Sequence, residues 1–278
     1  MADFYPAICT TPLTKFSYAF LLLMVYSLIG WCGEMVYCSI YQRKLCEKRG
    51  FLNGPLCPIY GHGALIVLLC LNGGCKNPLL TFILGAVLTS MVEYATSYAM
   101  EKLFHMRWWD YSHYKYHITG RVCLLNSTLF GLASVFLCHL ANPRIANRLE
   151  NIMLSAAGVP LAMVFLAIYL TDIILSVRSA VQIGDRLAKL HAIHNELAEK
   201  LDELKLEQHQ ALEAERERIS QRKTEARQRL HALYNRPDIF ERRMLHSFPT
   251  MRSTRHPEAM RKWREYLENR KRENRKHK

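Results

Sequence analysis

No Gly-x-x-x-x-Gly-Lys-[Ser/Thr] string occurs anywhere in the chain, and the Gly73-Gly-Cys-Lys76 turn does not supply one. The chain therefore carries no phosphate-cradling loop of its own with which to hydrolyse ATP. Nucleophile-elbow and Ser/His/Asp signatures are missing too, which removes the commonest hydrolase chemistries. Nine cysteines are present, none in a Cys-x-x-Cys or Cys/His zinc spacing. His105, Asp110, His113 and His117 come close together but lack a Cys or Glu at ligand spacing, so neither a metal nor another cofactor is expected. Lys and Arg outnumber Asp and Glu by 37 to 24, yet no aromatic-interleaved RNA-binding module accompanies them, and nucleic acid is not an expected partner.

Charge is scarce up to about Ser176, and long apolar runs are missing after Val177. A mean hydropathy of −0.06 averages two unlike parts. Such segregation is the pattern of a membrane domain joined to an aqueous one. The expected fold class is all-α: a polytopic membrane helix bundle followed by a long cytoplasmic helix and a basic tail. The expected domains are 1–178 for the bundle, 179–236 for the long amphipathic or coiled-coil helix, and 237–278 for the tail.

Five stretches are apolar enough to be spans: Phe16–Tyr41, Ile59–Leu71, Leu79–Met100, Val122–Leu140 and Ile152–Ser176. The first is too long for a signal h-region and lacks a basic leader, so it is expected to be a permanent span. The second is the shortest and follows Gly54, Pro55 and Pro58, with Gly61 and Gly63 inside it. Such residues delay a helix, so this stretch is expected to begin as a non-helical segment inside the protein. A re-entrant second stretch, leaving four spans, is the alternative. Arg43, Lys44, Lys48 and Arg49 follow the first span, and Lys102, Arg107, Lys115 and Arg121 follow the third. That bias puts the N-terminus outside and the C-terminus in the cytoplasm. Cys9 and Cys75 fall on the same expected outer side, which leaves a disulfide between them open.

Beyond the spans, Leu187, Leu190, Leu197, Leu201 and Leu204 recur at helical steps, with His194 and Gln208 in the same stripe. The stripe suits a homo-oligomeric coiled coil through 187–233, and equally a single helix lying back on the membrane part. Pro237 is expected to end it. The remaining segment, closing in Asn269-Arg-Lys-Arg-Glu-Asn-Arg-Lys-His-Lys278, is expected to be a solubilising tail without fixed structure. Anionic lipid would attract it by about 1 kcal/mol per basic residue near the surface.

Ionisable groups inside a span are costly and usually face an interior with a partner. Glu34 lies in the first expected span beside Trp31, and Glu93 in the third, with Ser90, Ser97 and Glu101 on its helix face. Both carboxylates fall in the cytoplasmic half. With Arg121 at the start of the fourth span, they suggest a polar pocket open to the cytoplasm. Packing glue between helices is the competing role. Two loops flank this region, one Gly/Pro-rich (49–64, containing Tyr60) and one aromatic (101–121), where Trp108, Trp109 and Tyr111 surround Asp110.

Several strings then resemble one family. They are Gly-Trp-x-x-Glu (30–34), Arg-Gly-Phe-Leu-x-Gly-Pro-x-x-Pro-Ile-Tyr-Gly-x-Gly-Ala (49–64), Glu-Tyr (93–94), Met-Glu-x-x-Phe (100–104), Trp-Trp-Asp-Tyr-Ser (108–112) and Gly-Arg-x-Cys-Leu (120–124). Together, over about residues 16–140, they resemble the CmpB family of bacterial membrane proteins, described as ABC-transporter type IV. The resemblance implies that Glu34, Tyr60, Glu93, Glu101, Trp109, Asp110 and Arg121 form a shared polar core in the bacterial plasma membrane. It also implies a permease component whose ATPase is a separate subunit. An intramembrane enzyme using these carboxylates with Asp110, or a scaffold recruiting a partner through the tail, are the alternatives.

Overall fold

The computed structural model describes residues 4–42, 50–71, 76–208, 213–234 and 239–276. Arg43, Lys44, Lys48, Arg49, Cys75 and Pro237 lie outside the described residues, as do the side chains of Leu204 and Gln208. Cys9, the other half of the disulfide left open above, is a buried free thiol.

The described chain is helical almost throughout. The bundle comprises α1 (Pro12–Gln42), α2 (Pro58–Leu71), α3 (Pro78–Phe104), α4 (Leu124–Phe136), α5 (Asn142–Leu154) and the first part of α6 (Gly158–Gln208). A π-helical turn, Leu137–Ala141, joins α4 to α5. Pro143 explains it, because its ring clashes with the carbonyl four residues earlier and it has no N–H to continue the ladder. Among the described residues, four helical stretches are long and apolar enough to cross a membrane: Pro12–Ile40, Pro78–Phe104, Leu124–Leu154 and Gly158–Glu203. The second expected span is different. Its helix α2 has 14 residues, about 21 Å at 1.5 Å per residue, against about 30 Å of hydrocarbon.

The surface of α3 reads as a membrane helix should. Leu79, Leu80, Ile83, Leu84, Val87 and Met91 are exposed, whereas Thr81, Gly85, Glu93 and Ser97 are buried. Large apolar side chains face outward, and small or polar ones face the neighbouring helices, where they allow close backbone approach and hydrogen bonding. Ser90 of α3 meets Ser127 of α4 at 2.7 Å between hydroxyl oxygens.

The close approach of α1 and α2 rests on two glycines. A Cβ on Gly30 would sit 2.3 Å from Tyr60 Cβ, and one on Gly61 would sit 2.6 Å from the Leu23 carbonyl oxygen. Neither position has room for a side chain.

Two findings concern the C-terminal third. First, α6 runs unbroken from the apolar bundle into the polar region, so no structural break marks residue 178. Its Leu stripe is used within the chain: Leu187 and Leu190 are fully buried with Met244, Met251, Met260 and Trp263. Leu197 and Leu201 line a recess against α7 (Glu213–Tyr234), together with Ala226 and Leu230. The stripe offered for self-association is thus partly covered by the chain's own helices.

Second, the basic segment expected to be without fixed structure forms α8 (Ile239–Ser247), a short strand β4 (Arg252–Ser253) and α9 (Pro257–Lys276). The reason is a set of apolar residues hidden among the charges, since Met244, Leu245, Met251, Met260 and Trp263 bury themselves against α6. β4 pairs antiparallel with β1 (Met106–Arg107), which directly follows α3. Trp108 is the hinge of this union. Its ring meets Phe51, Phe104 and Phe248 edge-on at centroid distances of 5.2, 5.9 and 5.0 Å, so the two loops and the C-terminal part share one aromatic core.

Candidate functional site

The Gly/Pro-rich segment before α2 lies against the bundle without forming a helix there, as the sequence leads one to expect. Its backbone groups are satisfied from three directions. Asp172 of α6 accepts the N–H of Asn53 at 2.8 Å and that of Gly54 at 2.7 Å. The Ser27 carbonyl, mid-way along α1, accepts the Cys57 N–H at 3.1 Å. Arg243 of α8 donates to the carbonyls of Leu52, of Phe51 at 2.8 Å and of Gly50 at 3.3 Å. Irregular backbone packed within a membrane protein is tolerable only when its polar groups find partners of this kind.

The segment delivers Tyr60 to α1. Its hydroxyl donates to Glu34 Oε2 at 2.5 Å, and the Cys38 thiol donates to Glu34 Oε1 at 3.4 Å. Trp31, one turn earlier on α1, is half-buried and faces Gly50. On the other side of the cluster, the Tyr111 hydroxyl donates to Glu93 Oε1 at 3.1 Å. Asn126, near the start of α4, lies close to the same carboxyl. Burial pushes the Tyr111 hydroxyl far above its ordinary pKa, with the charge of Glu93 adding to the effect, so Tyr111 remains a donor. Glu93 is 4% exposed, and its Oε2 is buried with no hydrogen-bond partner among the described residues. Glu34 and Glu93 lie within electrostatic reach of one another.

A second cluster, built on ion pairs, sits beside the first. Glu101 Oε2 binds Arg121 Nη2 at 2.8 Å and Arg107 Nε at 3.2 Å. The Arg121 guanidinium also lies over the rings of Tyr94 and Tyr98, each at 5.5 Å. Its backbone carbonyl accepts the Trp109 indole N–H at 3.0 Å, which ties the Trp109 loop to the start of α4. Asp110 is buried and accepts from Ser112 N and Oγ, both at 3.0 Å. It also pairs with Arg252 of β4, and with Arg107 Nη1 at 3.9 Å.

The residues singled out by sequence therefore fall into two groups. Glu34, Tyr60 and Glu93 meet in the inner cluster, with Trp31 on its α1 flank. Glu101, Arg121, Trp109 and Asp110 form the outer one. Arg121 is engaged with Glu101 rather than with Glu93. Tyr111 and Asn126 belong to the inner cluster and were not picked out as site residues. Asn126 had a readable signal, a polar amide within the apolar run that forms α4. Arg243 had none, because its contact with residues 50–52 joins positions almost 200 apart in the chain.

Fold and site together define a polytopic helical membrane protein in which Tyr60 at the start of α2 meets Glu34 of α1, with the buried Glu93 of α3 close by. The chain belongs to the CmpB family: the family model described as "Putative ABC-transporter type IV" matches residues 21–177. The match runs past the motif strings of residues 16–140 and takes in Asp172, which holds the inner segment. No curated protein and no solved structure matches the chain.

Proposed function

We propose that this chain is the permease component of an ABC-type transporter, working with a separate ATPase subunit, and that the inner cluster of Glu34, Tyr60, Glu93, Tyr111 and Asn126 binds a small polar solute. The observation that carries this reading is Glu93, a buried carboxyl in a membrane helix with one oxygen lacking a partner. An ionisable group in that setting costs about 3 kcal/mol even on lenient insertion scales. The family description and the lack of a nucleotide-binding loop point the same way. In this reading the N-terminus is outside, the C-terminal helices are cytoplasmic, and the pocket opens towards the loops at 50–57 and 105–121. Anionic headgroups would meet the basic faces of those helices.

The test is comparative profiling of small-molecule pools in cells that lack the protein and are complemented with wild type, Glu34→Gln or Glu93→Gln. At least one pool should be restored by wild type and by neither variant. Full restoration by both variants would count against the permease reading.

One observation favours a second reading. Arg243 and Arg252, both in the C-terminal part, contact the two loops that border the pocket. A sensor or scaffold would use that docking to report the state of the bundle to a partner. The enzyme reading draws less support, because Asp110, its proposed acid and base, is held by Ser112, Arg107 and Arg252.

A further inference from the structure

Between the outer cluster and α4 the chain builds a hairpin arm from residues 112–123. Strand β2 (His117–Ile118) pairs antiparallel with β3 (Val122–Cys123), with Ile118 opposite Val122. The turn is tight: the Arg121 N–H donates to the Ile118 carbonyl at 3.0 Å, and Thr119 and Gly120 have φ of 53° and 71°. Positive φ at both central residues suits the twist of a two-residue hairpin. The arm's outer surface is apolar and basic. Tyr116 is 63% exposed and Ile118 65%, and Lys115 Nζ lies over the Tyr116 ring at 5.5 Å. No Asp or Glu occurs between Tyr111 and Arg121.

Two contacts fix the level of the arm on the bundle. The Tyr116 carbonyl accepts the N–H of Leu124 at 3.0 Å, and Leu124 is the first residue of a membrane-length stretch. Leu124, Leu125, Leu129 and Leu132 are exposed along that stretch. Tyr114 lies close to Tyr37 of α1, inside the membrane-length stretch Pro12–Ile40. The arm is therefore beside the ends of two spans, level with their exposed apolar side chains.

We propose that this arm is seated in the bilayer, with Tyr116 and Ile118 at the boundary between headgroups and acyl chains and Lys115 on the phosphates of anionic lipids. The inference goes beyond the permease reading and does not depend on it, since it needs only that Leu124 begins a span. Lipid is favoured as the occupant because the exposed surface continues the apolar face of α4. Tyrosine, with an apolar ring and a polar tip, is enriched at this boundary. A lysine stem lies along apolar surface while its ammonium reaches the headgroups. The seat also bears on both clusters. Tyr111 donates its N–H to the Gly120 carbonyl at 2.8 Å and its hydroxyl to Glu93. Arg107 donates to the Thr119 carbonyl at 3.3 Å, and Arg121 to the Thr119 hydroxyl at 3.1 Å.

The experiment uses the full-length protein in phosphatidylcholine vesicles, with and without phosphatidylglycerol. An environment-sensitive fluorescent amino acid replaces Ile118, or Tyr116 in a second variant. Exposed Leu132 of α4 and exposed Glu225 of α7 are the reference positions in lipid and in water. Quenching is read with lipids brominated high on the acyl chain and with iodide in the buffer. At both arm positions emission should be blue-shifted relative to Glu225, with strong lipid quenching and weak iodide quenching, as at Leu132. Lys115→Gln should reduce lipid quenching in the vesicles that contain phosphatidylglycerol and leave it unchanged in those that do not. Cooperative unfolding of each variant establishes that it folds. Arm probes that behave like Glu225 would overturn the inference, as would a Lys115→Gln effect that ignores lipid charge. A probe open to iodide in vesicles but shielded in membranes of the producing cells would assign the surface to a protein partner, and would overturn it too.

Discussion

Asp172 accepts both the backbone N–H and the side-chain amide of Asn53, each at 2.8 Å, across more than a hundred residues of chain. With the Gly54 N–H at 2.7 Å, one carboxylate thereby satisfies two donors of a backbone that forms no helix. Replacing Asp172 by Ala leaves those donors without a partner, at a cost of about 1–3 kcal/mol. The thermal unfolding midpoint should fall, while the exposed Arg178→Ala should leave it unchanged within a degree or so. Equal midpoints for both would mean that Asp172 does not hold the segment.

Helix α2 should be equally sensitive at one glycine and tolerant at another. Gly61→Ala places a methyl group 2.6 Å from the Leu23 carbonyl oxygen and closer still to Ser27 Oγ, so α1 and α2 must part, at about 1–3 kcal/mol. Gly63 has nothing within 4 Å of its would-be Cβ. Gly63→Ala should therefore be neutral or slightly stabilising, since alanine has the better helix propensity. Denaturation of the two variants side by side checks the contrast.

The C-terminal helices should come away when their anchors are cut. Arg243→Ala strands the carbonyls of residues 50–52, and Trp108→Ala empties the centre of the shared aromatic core, at about 3–5 kcal/mol for the tryptophan. Limited proteolysis should cut α8 and α9 faster in both variants than in wild type. Arg243→Lys should rescue only in part, because a point ammonium cannot fork to several carbonyls.

Docking of α9 on α6 should weaken in mild acid. His194 and His256 both have pKa values lowered from the ordinary 6.5, first by burial and then by Lys262 and His191 respectively. The folded state thus favours neutral imidazoles, and the unfolded chain binds more protons as pH falls. Stability is complete above about pH 6.5 and declines as pH drops through the lowered folded values. Proteolytic release of α9 should be faster at about pH 5.5 than at pH 7.5, and His256→Asn, which cannot be protonated, should flatten the difference.

The membrane character of the chain was legible from hydropathy alone, because lipid imposes long apolar runs on any helix that crosses it. The delayed start of α2 was legible as well, from Pro55, Pro58 and the glycines around them. The folded state of the basic tail was not, because Met244, Met260 and Trp263 are too few and too scattered among charges to show as a period. Their burial follows from the matching face of α6, a tertiary fact. At the site, Glu34 and Glu93 stand out as carboxyls in expected spans, and Tyr60 through the Gly/Pro-rich motif; the structure brings Tyr60 onto Glu34. The pairing of Arg121 with Glu101 is not legible, since depth along a helix says nothing about rotation around it.

Co-purification of the tagged full-length protein in mild detergent, with mass spectrometry of everything that accompanies it, tests the permease reading most directly. The account predicts a nucleotide-binding subunit at fixed stoichiometry. A pure preparation of this chain alone, with no ATPase at any detergent concentration that keeps it folded, would contradict it.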